Sequence, residues 1–451
     1  MVECGRGVNA RGIAVVAGLV TLPLMHAVAQ PVGEFEQLGI RTERWTIFPS
    51  LSVSAIYDDN VFAVPDDDDE LLESDVLAVV APEVTVEANT QRHAFAITSG
   101  AQIGRYADLD DQNFNDFFVE TTGRWDVTRT FDVTASFGFA RTQEDQTDPD
   151  RVLTADTATQ TTDIDSFTGD ITAAKDWQRT FARASVGVTR RSFEELQADV
   201  FGPDGEEIVG SVDVNEDRDF FRIPFNLRVG YDVDRDYNLF VNLGYSLVRF
   251  DEAEQDLATA DFLEIADGGL VATRRIVGVD EGDSQDFETL SLRVGSEVDF
   301  ARLVSGEFSL GVEQRFADAA DEDDELGFSF DGDLDWIVTP RTTVNFSGSQ
   351  GFEPATGGDA GGSTLRTRVG LDLSYDLTRQ VALGGNFRYL RDDRGDEGRT
   401  DDDIAAGLST SYTINRFAVL SASYEFRRRT STDDDREFDR NRVLLTLTGR
   451  Y

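Results

Sequence analysis

The chain has 451 residues, with 41 Lys and Arg against 86 Asp and Glu, a formal charge of −45, two histidines and one cysteine. So acidic a protein is not a nucleic-acid binder, because that role needs positive charge to displace condensed counterions, and one cysteine leaves no internal disulfide and no thiolate metal cluster. High net charge favours disorder, but 32 phenylalanines and a strict alternation of apolar residues oppose it.

Arg6 and Arg11 precede an apolar stretch that ends on Ala27, Val28 and Ala29. This is the pattern of a secretory signal peptide, expected over residues 1–29 with cleavage after Ala29. Pro23 and His26 make the stretch a poor spanning helix, which would need roughly 20 apolar residues. Cys4 leaves with the signal, and residues 30–44 form a short polar segment, expected on the periplasmic side.

From Trp45 onward one unit recurs: about a dozen residues with an apolar side chain at every second position, then a break. That is the period of a strand with one apolar face. Phe221, Ile223, Phe225, Leu227, Val229 and Tyr231 share one face, opposed to Arg222, Pro224, Asn226, Arg228 and Gly230. Leu365, Val369, Leu371, Leu373 and Tyr375 likewise oppose Arg366, Arg368, Asp372 and Ser374. Strands of soluble sandwiches alternate too, but average about five or six residues, whereas a tilted membrane-spanning strand needs about ten.

Eighteen such runs begin near Trp45, Ser74, Arg92, Asn113, Thr130, Asp163, Thr180, Asp219, Tyr237, Asp286, Glu307, Leu326, Arg341, Leu365, Gln380, Asp403, Arg416 and Asn441. Tight connections such as 128–130 and 339–341 take turns with long acidic ones such as 65–73, 144–161, 194–217 and 251–284. Short periplasmic turns alternating with long external loops mark an outer-membrane barrel. The fold class is therefore all-β: residues 45–451 form a single antiparallel transmembrane β-barrel of about 18 strands (16 to 20). The segment 251–284 either projects outward or folds into the bore.

Val443, Leu445, Leu447, Gly449 and Tyr451 share the apolar face, so the chain closes on an aromatic in register with lipid. In this it resembles outer-membrane barrels generally, which implies recognition of the last strand by the barrel-assembly machinery. Trp45, Tyr57, Trp125, Trp177, Tyr231, Trp336, Tyr375 and Tyr412 lie near strand ends, as interfacial girdles require.

The first strand and its exit read Phe48, Pro49, Ser50, Leu51, Ser52, Val53, then Tyr57, Asp58, Asp59, Asn60, Val61, Phe62. This opening resembles that of a β-barrel porin family of proteobacterial outer membranes, some of whose members lie in loci for exopolysaccharide or capsule synthesis. The resemblance implies an outer-membrane location and polysaccharide-export components as partners. The Asp-Asp-Asn turn itself is explained by side chains that bond their own backbone, and no binding role is expected of it.

Little else suggests chemistry. His93 is the sole histidine after the signal and falls beside a tight turn, away from the external rim where barrel hydrolases place theirs, so no catalytic site and no enzyme activity are expected. Asp331, Asp333 and Asp335 start like a calcium loop, but Trp336 stands where that loop needs glycine. They read instead as a solvated pore wall. The acidic loops read as solvated rather than as divalent-cation sites bridging to lipopolysaccharide, since none has ligand spacing; no metal and no cofactor is expected.

Facing the proposed bore are Arg222, Arg228, Arg293, Arg315, Arg366, Arg368 and Arg388, mixed with Glu120, Glu297, Glu313, Asp333 and Asp372. Opposed charges across water sort solutes by polarity, although the same mixture could form a closed, salt-bridged interior. The expected function is a non-enzymatic, porin-like passive channel for polar solutes or an exported polysaccharide. The alternative is a non-conducting accessory barrel in exopolysaccharide or surface assembly. Outer-membrane lipid and lipopolysaccharide are the expected surroundings.

Overall fold

Each alternating run becomes a strand, and the strands close into one cylinder. The computed structural model describes residues 37–65, 71–90, 92–151, 159–201, 207–252, 255–266, 269–281, 284–318, 323–356, 362–395 and 399–451. The proposed signal peptide lies outside the described residues.

In chain order the strands are β1 (Ile40–Arg41), β2 (Thr46–Asp58), β3 (Asp75–Asn89), β4 (His93–Tyr106), β5 (Phe114–Thr128), β6 (Phe131–Gln143), β7 (Asp163–Asp176) and β8 (Thr180–Phe193). Next come β9 (Gln197–Phe201), β10 (Glu207–Asp213), β11 (Phe220–Asp232), β12 (Tyr237–Phe250), β13 (Gln255–Ala266), β14 (Gly269–Glu281), β15 (Phe287–Phe300) and β16 (Val304–Ala317). The last are β17 (Glu325–Thr339), β18 (Thr342–Pro354), β19 (Ser363–Asp376), β20 (Val381–Asp393), β21 (Thr400–Asn415), β22 (Ala418–Ser431) and β23 (Phe438–Arg450).

Eighteen of these, β2 to β8, β11, β12 and β15 to β23, pair antiparallel with their neighbours, and β23 returns to β2 in register from Ser50↔Arg450 to Asp58↔Arg442. An even, closed count removes every edge, which a bilayer demands because it offers unpaired N–H and C=O groups no water. Barrel strands run from 13 to 16 residues, and each expected run is present with its start displaced by three residues at most. The largest displacements are at β16, β21 and β23. The last two begin at Thr400 and Phe438, where Asp401, Asp402, Asp403, Asp439 and Arg440 interrupt the apolar alternation while the backbone ladder continues.

The outward face carries the large apolar side chains. Leu227, Val229, Leu243, Leu292, Val294 and Leu445 are each about half exposed, as in no water-soluble core. All four tryptophans, Trp45, Trp125, Trp177 and Trp336, stand at the end with the tight turns, and Tyr57, Tyr245 and Tyr424 stand at the opposite, loop end. Tyr451 stacks on Phe417 with ring centroids 5.7 Å apart. Gly306, with φ of +143°, sits where a Cβ would fall 2.0 Å from the Asp333 carbonyl of β17, so only glycine lets β16 begin there.

The inward face is polar over most of its height. Ser52 and Ser54 bond Thr448 and Thr446 across the closing seam at 2.9 and 2.8 Å. Near the loop end, however, apolar residues also point inward. Ile56, Leu77 and Val79 form one buried cluster, and Phe220, Val248, Phe250 and Phe287 another. Within the segment 251–284 the described hairpin β13–β14 pairs with β9, which pairs with β10, giving a four-stranded sheet distinct from that of the barrel.

Candidate functional site: the bore and its arginine ring

Strand alternation fixes which side chains can line the bore, and opposite charges then pair within it. Toward the turn end, Arg228 of β11 grips Glu307 of β16 in a bidentate pair at 2.7 and 2.9 Å. Its guanidinium lies 4.2 Å from the Phe240 ring centroid. Glu297 accepts from Asn238 Nδ2 at 2.9 Å and lies 4.0 Å from Arg183. Above them is a polar cavity of about 160 Å³ with Arg222, Asn226, Ser291, Arg293, Glu313 and Glu353 on its walls. Arg222 Nε donates to Ser246 Oγ at 2.9 Å, and Arg293 Nη1 to Ser329 Oγ at 3.2 Å.

At the loop end, residues 144–151, which follow β6, turn into the mouth as a strap. Glu144 pairs with the buried Arg218, just before β11. Asp150 accepts from Arg366 of β19 at 3.2 Å and from the fully buried Arg394 after β20 at 2.5 Å. The strap backbone is held as well. Arg427 and Arg429 of β22 donate to the Thr147 carbonyl at 3.2 and 2.7 Å. The Pro149 carbonyl accepts from Arg394, Arg399 and Arg436 at 2.9, 2.7 and 3.3 Å. Arg440 of β23 faces the strap from the seam, paired with Asp58 and 3.8 Å from Asp145. The strap thus touches the wall from β11 round through β19, β22 and β23.

Electrostatics follow from this crowding. Burial by itself would raise the Asp150 carboxyl, but the Arg366 and Arg394 guanidiniums outweigh it and hold the group far below the usual carboxylate range. Asp145 is depressed in the same way, burial being overcome by Arg440 and Arg427. Asp148 behaves oppositely: burial, then the neighbouring carboxylates Asp150 and Glu144, push it up to about 6.

The Putative beta-barrel porin 2 family model matches residues 32–451. The chain belongs to this family. No curated protein sequence matches it. Among solved structures it is similar to the copper transporter OprC, at 12% identity over 92% of this chain and 82% of that one, TM-score 0.45. It is also similar to a ferric enterobactin receptor, PfeA, of Pseudomonas aeruginosa, at 7% identity over 90% and 80%, TM-score 0.45. A third likeness is to OpdO of Pseudomonas aeruginosa, at 10% identity over 90% and 97%, TM-score 0.41.

Within this porin-family barrel several of the residues expected on the bore fall into three groups. Arg222, Arg293 and Glu313 share the cavity; Arg228 and Glu297 belong to the turn-end pairs; Arg366 and Arg368 share Glu353 at the loop end. Arg366 also grips Asp392 at 2.6 Å, so it is part of a buried network and not a solvated wall charge. Arg388 reaches Asp372 at 3.4 Å, Asp333 is bonded by Asn345 at 3.3 Å, and Arg315 donates to the Asp323 carbonyl at 3.2 Å. Glu120 faces inward on β5 without joining these groups.

Sequence reasoning missed the strap and most of its holders: Arg218, Arg394, Arg399, Arg427, Arg429, Arg436 and Arg440. The available signal was a concentration of arginine between Arg388 and Arg442 in a chain otherwise dominated by acids. The Asp58-Asp59-Asn60 turn also does more than cap itself. Asn60 does bond its own loop, donating to the Val64 carbonyl at 2.8 Å, but it also donates to the Asp439 carbonyl at 3.0 Å. Asp59 holds Asn441, and Asp58 holds Arg440, so the motif locks the seam between first and last barrel strands. Among the described residues no group of three or more His, Cys, Asp or Glu could hold a metal ion.

Proposed function

We propose that this chain is an outer-membrane channel that passes polar solutes passively, with its external mouth narrowed by the strap at residues 144–151. The observation that carries this reading is the contrast between faces: a half-exposed apolar exterior around an interior wall of Ser, Thr, Asn, Arg and Glu with a polar cavity inside it. A wall of fixed, opposed charges favours ions and hydroxylated solutes over apolar ones. The chain reaches the membrane through export by its first 29 residues and insertion by the strand ending at Tyr451, and it resides among lipid and lipopolysaccharide. No step of this function asks for a reactive side chain, so we read it as non-enzymatic.

The dense pairing of the strap favours a second reading, a barrel that stays closed and serves polysaccharide export or surface assembly as an accessory. Single-channel recording of the purified barrel in a planar bilayer separates the two. The channel reading requires discrete ohmic steps; a folded barrel that stays silent, and stays silent with the strap deleted, overturns it.

A further inference from the structure

The strap is held in a manner that its own chemistry does not fully explain. Three guanidiniums, those of Arg394, Arg399 and Arg436, converge on one neutral acceptor, the Pro149 carbonyl. Two more share the Thr147 carbonyl. A neutral carbonyl returns a dipole but no charge to a guanidinium, so one carbonyl under three arginines is a weak substitute for an anion. Arg394 makes the mismatch plainest: its side chain is wholly buried, yet its Nε and Nη1 have no hydrogen-bond partner. Leaving such buried donors unmatched is destabilising, and more so for a charged group.

Charge points the same way. The strap brings Glu144, Asp145, Asp148 and Asp150 against a single Arg151. Among the described residues, the wall arginines that hold the strap or face it, Arg218, Arg366, Arg394, Arg399, Arg427, Arg429, Arg436 and Arg440, outnumber the wall acids they pair with once the strap is removed, Asp58, Glu353, Asp392, Asp401, Asp403 and Asp433. In a chain of net charge −45, the mouth of the bore therefore contains a positive ring neutralised from within.

We infer that this ring is a binding site for a soluble anion carrying several carboxylate or phosphate groups, and that the strap occupies it as an internal stand-in which such a solute displaces. A carboxylate or phosphate arriving over Pro149 would replace the carbonyl these arginines share with an ionised acceptor, adding to the Asp401 and Asp433 that Arg399 and Arg436 already hold and taking the place of Asp150 at Arg394, while Arg366 would keep Asp392 and Glu353. Binding and opening are then one event. The inference rests on the channel reading for the transport that follows, but the binding step stands without it.

Strap displacement is measurable because Cys4 is the chain's only cysteine. In the full chain carrying Cys4→Ser and Thr147→Cys, the new thiol occupies a position about 2% exposed and should react slowly with a maleimide. Millimolar inorganic triphosphate or citrate should speed labelling at least tenfold, while sodium chloride of equal ionic strength should not. Arg394→Gln with Arg399→Gln should raise the basal rate and abolish the further response, whereas Arg379→Gln, on an exposed turn at the other end, should leave the response intact. If triphosphate alone acts, the site is a phosphate site; if citrate alone, a carboxylate site. An unchanged rate with both anions in a barrel shown to be folded overturns the inference, as does acceleration by lipopolysaccharide micelles only. Anion-dependent labelling in a barrel that never conducts would retain the site and reject the channel.

Discussion

Removing the Asp150 carboxylate should open the mouth. Asp150 bridges two wall arginines, Arg366 and Arg394, and it is about 6% exposed. Breaking a buried ion pair by deleting one partner costs about 3–5 kcal/mol, because it strands the other charge. In Asp150→Ala, Arg366 keeps Asp392 and Glu353, so the loss falls mainly on Arg394. The lower figure, ~3 kcal/mol, is therefore appropriate, and at 1.4 kcal/mol per decade it raises the ratio of displaced to docked strap about 150-fold. Because the cost is confined to the strap, heat-modifiability of the barrel should be unchanged. Single-channel recording reads the effect directly: brief, infrequent large steps in the natural chain become the dominant level in Asp150→Ala, with Asp150→Asn, which keeps a carbonyl acceptor, in between. Identical open fractions in all three proteins would refute the idea that this ion pair closes the mouth.

Acidification should act in the opposite sense. The Asp148 carboxyl is raised to about 6 in the docked strap, from a model-peptide value of 3.8, so docking takes up a proton between those values and strengthens as pH falls through about 6. The fraction of large openings should accordingly drop between pH 7 and pH 5, and Asp148→Asn should keep the strap docked at both; an unaltered pH dependence in that variant would contradict the assignment. On the lipid face, Val294→Arg in the middle of β15 replaces a 59% exposed apolar side chain at mid-bilayer depth. It should destabilise the barrel by about 2–4 kcal/mol in lipid unfolding measurements, whereas Ser291→Arg on the opposite face, in the wall of the cavity, should cost less and instead lower conductance. A double-mutant cycle on Arg228 and Glu307, both partly exposed to the bore, should return a coupling of only about 1 kcal/mol; a value near that of a fully buried pair would mean the turn end of the bore is dry.

Most of the barrel was legible because each strand must satisfy two solvents at once. Phe225, Leu227 and Val229 toward lipid and Asn226 and Arg228 toward the bore leave a period of two that survives without any partner information, and the turn chemistry then fixes the count. The same logic placed Arg222, Arg228 and Arg293 inside. It failed where that constraint lapses. Near the loop end Ile56, Leu77, Val248 and Phe287 point inward although apolar, since they pack on one another and face no open water. The strap carries no period at all, and its position depends on arginines as far along the chain as Arg440, so residues 144–151 read as one more solvated acidic loop. Arg366 was recognised as inward-facing, but its three carboxylate partners come from the strap, β18 and β20 and are not deducible from its own strand. Asp58 reads as local turn chemistry for the same reason: its partner Arg440 lies at the other end of the chain.

The most direct test of a strap-narrowed polar channel is the swelling of proteoliposomes in sugars of increasing size, with the natural chain and with residues 145–150 replaced by a short glycine linker. Both proteins should admit small sugars, the linker variant should also admit larger ones, and sugars of the same size should enter faster through it. No swelling with either protein, in barrels shown to be folded and inserted, would contradict it.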